Sequence, residues 1–424
     1  MATPLVMKSS HKPALESAVA GPLYLDCNGS TPVEPEILQR FQEYTFAYPG
    51  NCNASHAQGA RQMLAEARAQ IADWVAASED GVFFCGSATE ANNMAICGLR
   101  GLEAPRAKGD GVPHIVLTAL EHASVRGPCE YLAQRHGFAL TEVAPEADGR
   151  ISASAIIERL RPETQLVCCM QVNNETGVVQ PVAELAQALE DSRHPAYLHV
   201  DAAQGAAHID SGFFPAASLK HPRIDMLTVS GHKMYGICGI AALILKKRGD
   251  GTYPSLQPLL LGGAQQGTGR LKGLRSGSIP LALALSLRDA WRLCEERRAE
   301  RRQKNQRFRT HFWQVLEPLR PRLNGREEFV LPHVCNVILP GIDGESALLN
   351  IRDLLSAGRG AACTGSSPKG SKGSKGSPVL AAMGLSTLEQ ERSLRFSWCH
   401  HTEEFWQDPA WGKELLRKLQ RLQR

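Results

Sequence analysis

His199-Val200-Asp201-Ala202-Ala203-Gln204 and, about thirty residues later, Ser230-Gly231-His232-Lys233-Met234-Tyr235-Gly236 decide how this chain folds. Tyr197 and Leu198 lead into the first motif, so a short apolar run ends on the carboxylate of Asp201. The run from Ile224 to Val229 ends in the same way at Ser230. Short, nearly continuous apolar runs bounded by turn residues read as strands buried on both faces, as in a parallel sheet. Ligands of open α/β sheets gather beyond the carboxyl ends of the strands. The spacing therefore puts an acid and, shortly after, a lysine where they converge on one ligand.

The neighbouring sequence repeats the pattern. Upstream, Val82–Cys85 reads as a strand, Gly86–Glu90 as a turn and Ala91–Leu102 as a helix. Apolar positions from Ala60 to Ala77 follow helical spacing. Ile115–Thr118 is a strand ending near His122, and Phe138–Val143 is another. Ser152–Leu160 is a helix, Leu166–Gln171 a strand leading to Asn174, and Val182–Leu189 a helix. Strands alternating with helices predict an α/β fold with a mainly parallel sheet covered on both faces. Further strand tips then bring Thr89, His122 and Asn174 to the edge that holds Asp201, Gln204 and Lys233.

A lysine amine forms a Schiff base with an aldehyde, and a carboxylate opposite a protonated ring nitrogen lets an aromatic ring draw electrons from a bound amino acid. Pyridoxal phosphate meets that description. A small-residue turn opening a helix, as at Ser87-Ala88-Thr89, offers free N–H groups to a phosphate. At that turn a plain helix cap and a phosphate cradle remain equally open. Taken singly, Asp201 also reads as a turn cap and Lys233 as a solvated charge.

Composition sets the limits. At 424 residues the chain suggests two domains or one large α/β domain with a smaller companion. Hydrophobic residues at 43% and charged residues at 21% are those of a soluble globular protein. The net charge of +4 gives no reason to expect nucleic acid. The basic stretch Arg297–Arg309 is expected to be a solvated helix face, given Glu295, Glu296 and Glu300 beside it. No apolar run is long enough for a membrane span, and Met1–Gly21 has neither a secretory apolar core nor an organelle-targeting pattern. Twelve cysteines without any C-x-x-C predict buried thiols, no zinc or other metal site, and a cytoplasmic location.

The chain resembles the cysteine desulfurase and selenocysteine lyase family, pyridoxal-phosphate enzymes of the class V aminotransferase group. The resemblance runs from Leu23 to about Phe396. It rests on LYLDCNGSTPVEPEIL, GSATEANN, EHASV, VNNETGVVQP, HVDAAQ, IDMLTVSGHKMYG, LRSGS, NVILPGIDGESALL, GAACTGSS and SLRFS, in that order.

The resemblance implies a fold-type I enzyme that converts L-cysteine to L-alanine; L-selenocysteine as substrate, or another pyridoxal-phosphate C–S lyase, is the alternative. Lys233 is then the Schiff-base lysine and Asp201 the partner of the ring nitrogen. Gln204 and Asn174 serve the ring oxygen, and His122 stacks on the ring. Ala88, Thr89, Ser230 and His232 take the phosphate, with Ser278 reaching it from the second subunit of a homodimer. Arg395, joined by Asn174, holds the substrate carboxylate. Cys363 accepts sulfur as a persulfide for an acceptor protein, from a loop rich in Gly, Ser and Lys.

The expected division is a disordered 1–22, a large cofactor-binding domain over 48–278, and a small α+β domain made of 23–47 and 279–424 that carries the Cys363 loop. Departures from the family pattern are Cys27 for an aromatic residue, Cys52 for proline, Ile237-Cys238 in the turn after Lys233, His400 for arginine, and an insertion from Pro368 to Gly376.

Overall fold

The computed structural model describes residues 21–48, 52, 57–99, 111–210, 212–263, 266–358, 376–402 and 409–423. It opens with β1 (Leu23–Tyr24), α1 (Pro35–Ala47) and α2 (Gln58–Trp74). Leu64, Ala67 and Ile71 repeat at helical intervals on α2 and are buried, which fixes the face it lays on the core.

The main sheet has seven strands: β2 (Val82–Cys85), β3 (His114–Thr118), β4 (Ala139–Val143), β5 (Thr164–Cys168), β6 (Tyr197–Asp201), β7 (Met226–Ser230) and β8 (Ala241–Leu245). Their spatial order is β2-β8-β7-β6-β5-β3-β4. Only β8 runs against its neighbours, so the other six share one direction. Residues of β2, β3, β7 and β8 are buried throughout, as strands covered on both faces must be. Helices α3 (Ala88–Cys97), α4 (Ala123–His136), α5 (Ala153–Ile157) and α6 (Val182–Asp191) connect them. One apolar core lies on each face, the larger including Val116, Val167, Val200 and Trp291, the other Phe83, Ile115, Leu117 and Leu243. Each fully buried Val, Leu or Phe in them contributes about 1.5–3 kcal/mol.

The long α7 (Leu281–Leu316) leaves the main sheet and reaches a separate core. There β10 (Val334–Ile338) runs antiparallel between β9 (Arg322–Leu323) and β12 (Ser393–Ser397). Phe308, Phe312 and Leu316 of α7 pack there with Phe396 and with Leu415 and Leu419 of a last helix, Pro409–Gln420. Helix α8 (Gly344–Ile351) leads to β11 (Leu355–Ser356), which pairs with β1. Helices α9 (Pro378–Ala382) and α10 (Thr387–Glu391) precede β12. The first strand is thus joined to the late part of the chain, and Asp26 bridges Ser397 as well.

Three expectations differ from the structure. The helix read as Ala91–Leu102 starts at Ala88, because Ser87 accepts a hydrogen bond from Glu90 N at 3.1 Å and caps it. The helix read as Ser152–Leu160 covers only Ala153–Ile157. The stretch Arg297–Arg309 is a solvated face only in part: Arg297, Arg302, Lys304 and Arg307 keep some or all of their exposure. Arg298, Arg301 and Arg309 are buried on α7, because Glu295, Glu34 and the carbonyls of Leu331 and Val334 take their guanidinium groups. Residues 1–20 and Cys363, with the lysines that follow it, lie outside the described residues.

Candidate active site

A cavity of about 300 Å³ opens at the carboxyl ends of the parallel strands. Ala88, Thr89, His122, Asn174, Asp201, Gln204, Ser230, His232, Lys233 and Arg395 all line it. Ser278 does not: it is exposed and is not part of the lining.

Asp201 is the last residue of β6, with Oδ2 accepting from Asn92 Nδ2 at 2.8 Å and Oδ1 from Ala203 N at 3.0 Å. Those neutral donors hold a buried carboxylate in one orientation. Lys233 sits in the single turn after β7, and its ammonium donates to the carbonyl of Asn28 and, at 2.8 Å, to that of Gly29. Gln204 donates to the same Asn28 carbonyl at 2.9 Å. The Asn28-Gly29 turn therefore touches both residues, a role its sequence does not announce. Its tell-tale was a carboxylate, Asp26, directly after an apolar run, the feature that marked Asp201.

Asp26 also accounts for Arg395. The guanidinium of Arg395 is buried in the cavity wall, paired with Asp26 Oδ1 at 2.5 Å and donating to the carbonyl of Asn174 at 2.9 Å. Asn28 Nδ2 donates to that carbonyl at 3.0 Å. Strand β12 thus delivers a fixed cation from the separate core around α7 into a cavity built on the main sheet.

At the opposite wall, helix α3 begins at Ala88. Ala88 and Thr89 are its first two residues, so their N–H groups have no acceptor within the helix. Ser87 is the cap, and Glu90 closes the turn by accepting from Gly86 N at 2.7 Å and from Arg275 at 3.0 Å. His232 faces the same region, its pKa lowered to about 4 by burial and by Lys233, so it is neutral at pH 7. His122 caps α4, and burial likewise lowers its pKa, with Lys233 adding to the shift and Asp201 opposing it.

The chain matches the aminotransferase class-V sequence model over residues 23–404. It belongs to the class-V aminotransferase family. Cysteine desulfurase IscS of Escherichia coli O139:H28 is 31% identical over 403 residues, 94% of this chain and 92% of that protein. Its counterpart in Photorhabdus laumondii is 30% identical over the same share of each chain. Among solved structures, DndA from Streptomyces lividans superposes with a TM-score of 0.72 at 36% identity, covering 89% of this chain and 99% of that one. SspA in complex with cysteine gives a TM-score of 0.69 at 30% identity, covering 88% and 98%.

Enzymes of this family are pyridoxal-phosphate-dependent, and the cavity suits that cofactor. It joins a lysine amine, a buried carboxylate on the adjacent strand and a helix N-terminus flanked by Ser230 and a neutral His232. Elsewhere, Glu34, His400 and His401 bring donor atoms within 4.8 Å of one another. The Glu34 carboxylate there already pairs with the Arg301 guanidinium and accepts hydrogen bonds from both imidazoles, which occupy its oxygens. Among the described residues no cysteine forms a disulfide, and all but Cys238 are buried. No described helix is long and apolar enough to cross a membrane.

Proposed function

We propose that the protein is a pyridoxal-phosphate-dependent cysteine desulfurase that turns L-cysteine into L-alanine and passes the sulfur to Cys363 for delivery to an acceptor protein. The observation that carries this reading is the meeting of Asp201, Lys233 and Arg395 in one cavity beside the α3 N-terminus. The named activity of the IscS relatives and the cysteine bound to SspA point the same way.

When bound, the cofactor supplies a ring that accepts electrons from the substrate's Cα. The chain's own groups do the rest. Asp201 would hold the ring nitrogen protonated, since a fixed carboxylate favours the cation opposite it. Lys233 anchors the aldehyde and carries the Cα proton. Ala88, Thr89, Ser230 and His232 take the phosphate, Gln204 and Asn174 the ring oxygen, and His122 lies against the ring. Arg395 grips the substrate carboxylate with its planar fork, sharing itself with Asp26. Cys363 removes sulfur from the bound substrate and keeps it as a persulfide.

Ser278, exposed outside its own cavity, fits a homodimer in which it reaches the partner's phosphate site. We read 48–278 as the large domain, 23–47 with 279–424 as the small one, and the cytoplasm as the location.

The test is to supply single amino acids to the loaded enzyme, with dithiothreitol as the reductant that frees sulfide from the persulfide, and measure alanine with sulfide or selenide. Alanine and sulfide from cysteine are expected, with Cys363→Ser losing both and Arg395→Lys raising KM at least about tenfold. Alanine and sulfide formed undiminished by Cys363→Ser would overturn the persulfide step, and no turnover of cysteine would overturn the reading itself.

A further inference from the structure

Asn92 lies on the buried face of α3, and its side-chain nitrogen is 2.8 Å from Asp201 Oδ2 and 2.9 Å from Ser124 Oγ. The carboxylate decides which end of the amide faces it: an amide oxygen there would set two acceptors against each other. The nitrogen therefore stands on that side, and both its hydrogens are used. Ser124 Oγ accepts one of them. The hydroxyl hydrogen of Ser124 is then left for Nδ1 of His122, 2.8 Å away.

The backbone N–H of Ser124 is aimed at the same nitrogen, at 3.1 Å. Two donors converging on Nδ1 leave no room there for a proton. The proton of a neutral imidazole must then sit on Nε2, across the ring. We propose that Asn92 and Ser124 are positioning residues that hold His122 as the neutral Nε2–H tautomer and tie its orientation to that of Asp201.

The surroundings favour the same state. His122 caps α4, a fourteen-residue helix whose N-terminal dipole disfavours an imidazolium. Burial and Lys233 lower its pKa, against the pull of Asp201. His122 lines the cavity, so what the cavity meets is a neutral ring with a hydrogen-bond donor rather than a cationic acid. One polar chain, Asp201–Asn92–Ser124–His122, thereby fixes two groups that line the same cavity. The tautomer follows from this geometry alone; its use toward the cofactor rests on the function proposed above.

The experiment is NMR of the full chain labelled with ¹³C and ¹⁵N histidine, with and without bound pyridoxal phosphate. His122 is identified by the signals missing in His122→Gln. The wild type should show a directly bonded proton on Nε2, and a pKa below the ordinary 6.5 in the cofactor-free chain. Ser124→Ala, by freeing Nδ1, should raise that pKa by about half a unit to one unit and admit the other tautomer. Ser124→Thr, which keeps the hydroxyl, should restore both readings. Asn92→Asp turns the Ser124 hydroxyl away from His122 and should act like Ser124→Ala.

An Nδ1–H tautomer in the wild type would overturn the proposal, as would Ser124→Ala and Asn92→Asp variants that melt normally and leave tautomer and pKa unchanged. Should a variant fail to fold, the wild-type tautomer alone decides. Because these readings need no turnover, they stand or fall apart from the desulfurase activity, whose own assay is alanine formation.

Discussion

Asp225 precedes β7 at the amino ends of the parallel strands, and Asp201 ends β6 at the carboxyl ends; both are buried. Asp225 receives Arg223, Arg248 at 2.7 and 3.1 Å, and the backbone N–H of Leu198 at 2.8 Å. Its neighbour Lys246 is likewise spent on the carbonyls of Leu219 and His221, at 2.6 and 3.2 Å. Asp201 is steadied instead by an amide side chain and one backbone N–H. A carboxylate ringed by cations has its charge answered within the fold. One held by neutral donors at a cavity wall keeps its charge for something that enters. The same residue type, on neighbouring strands, is a structural tie at one end of the sheet and a candidate catalytic group at the other.

Lys233→Ala should give the largest effect. The amine at the β7 tip reaches the cavity and has, in the proposed role, both the covalent and the proton-transfer work. Turnover should fall to background, with loss of the borohydride-stable link between chain and cofactor, while the melting temperature of the cofactor-free protein stays close to that of the wild type. A reducible link retained by the variant would move the anchor to another residue.

The two aspartates should then separate cleanly. Asp201→Asn should reduce turnover by roughly a hundredfold or more while changing the unfolding free energy of the cofactor-free protein by less than about 1 kcal/mol, since the amide oxygen still accepts from Ala203 N and Asn92 can turn its own oxygen to the new NH2. Asp225→Asn should do the reverse. It leaves two guanidinium groups without their shared counter-charge, a loss of about 3–5 kcal/mol, while turnover per folded molecule holds. Urea unfolding beside an activity assay checks both. If both variants lose stability alike, the contrast between the ends of the sheet is wrong.

The sequence made the carboxyl edge legible because strand tips are local events: an apolar run and the residue after it are contiguous. What it hid was long-range or concealed by helical phase. Asp26 meets Arg395 across the length of the chain, and no spacing announces that pair. Asn92 in EANN looks like an ordinary helix polar group, yet it lies four positions before Ile96 on the stripe shared with Ala95, which sets it facing the sheet. The buried arginines of α7 were misread for the matching reason. Their acceptors, Glu34 and the carbonyls of Leu331 and Val334, come from distant segments, so the charge run resembled a solvated face. Strand β8 went unread because Ala241–Leu245 lacks a functional residue at its tip, although its apolar pattern matched that of β7.

The smallest effect concerns pH, and it sets Glu121 at the carboxyl edge against the buried histidines. Glu121 Oε1 accepts from Thr118 Oγ1 at 2.6 Å and Met170 N at 2.8 Å, while Oε2 has no partner among the described residues. Burial pushes its pKa up to about 7. Between the ordinary carboxylate range and pH 7 the folded chain therefore binds the extra proton, and this group's contribution to stability declines as pH rises. Burial lowers His199 to about 4 and His333 to about 3. From those values up to the ordinary 6.5 it is the unfolded chain that binds the extra protons. Their contribution is complete above 6.5 and is lost as pH falls through that window. Each group changes the unfolding free energy by at most about 1.4 kcal/mol per pH unit. His114, His232 and His400 are lowered to about 4 as well, so the histidines outweigh the one carboxyl and stability should fall between pH 6.5 and 4.5. Glu121→Gln, which keeps the shape and removes the opposing proton, should steepen the fall, and His199→Asn should flatten it. Urea midpoints at pH 6.5, 5.5 and 4.5 measure all three slopes. A slope that Glu121→Gln leaves untouched would mean that Glu121 does not hold the extra proton in the fold, and that the carboxyl edge answers its charges as completely as the amino edge does.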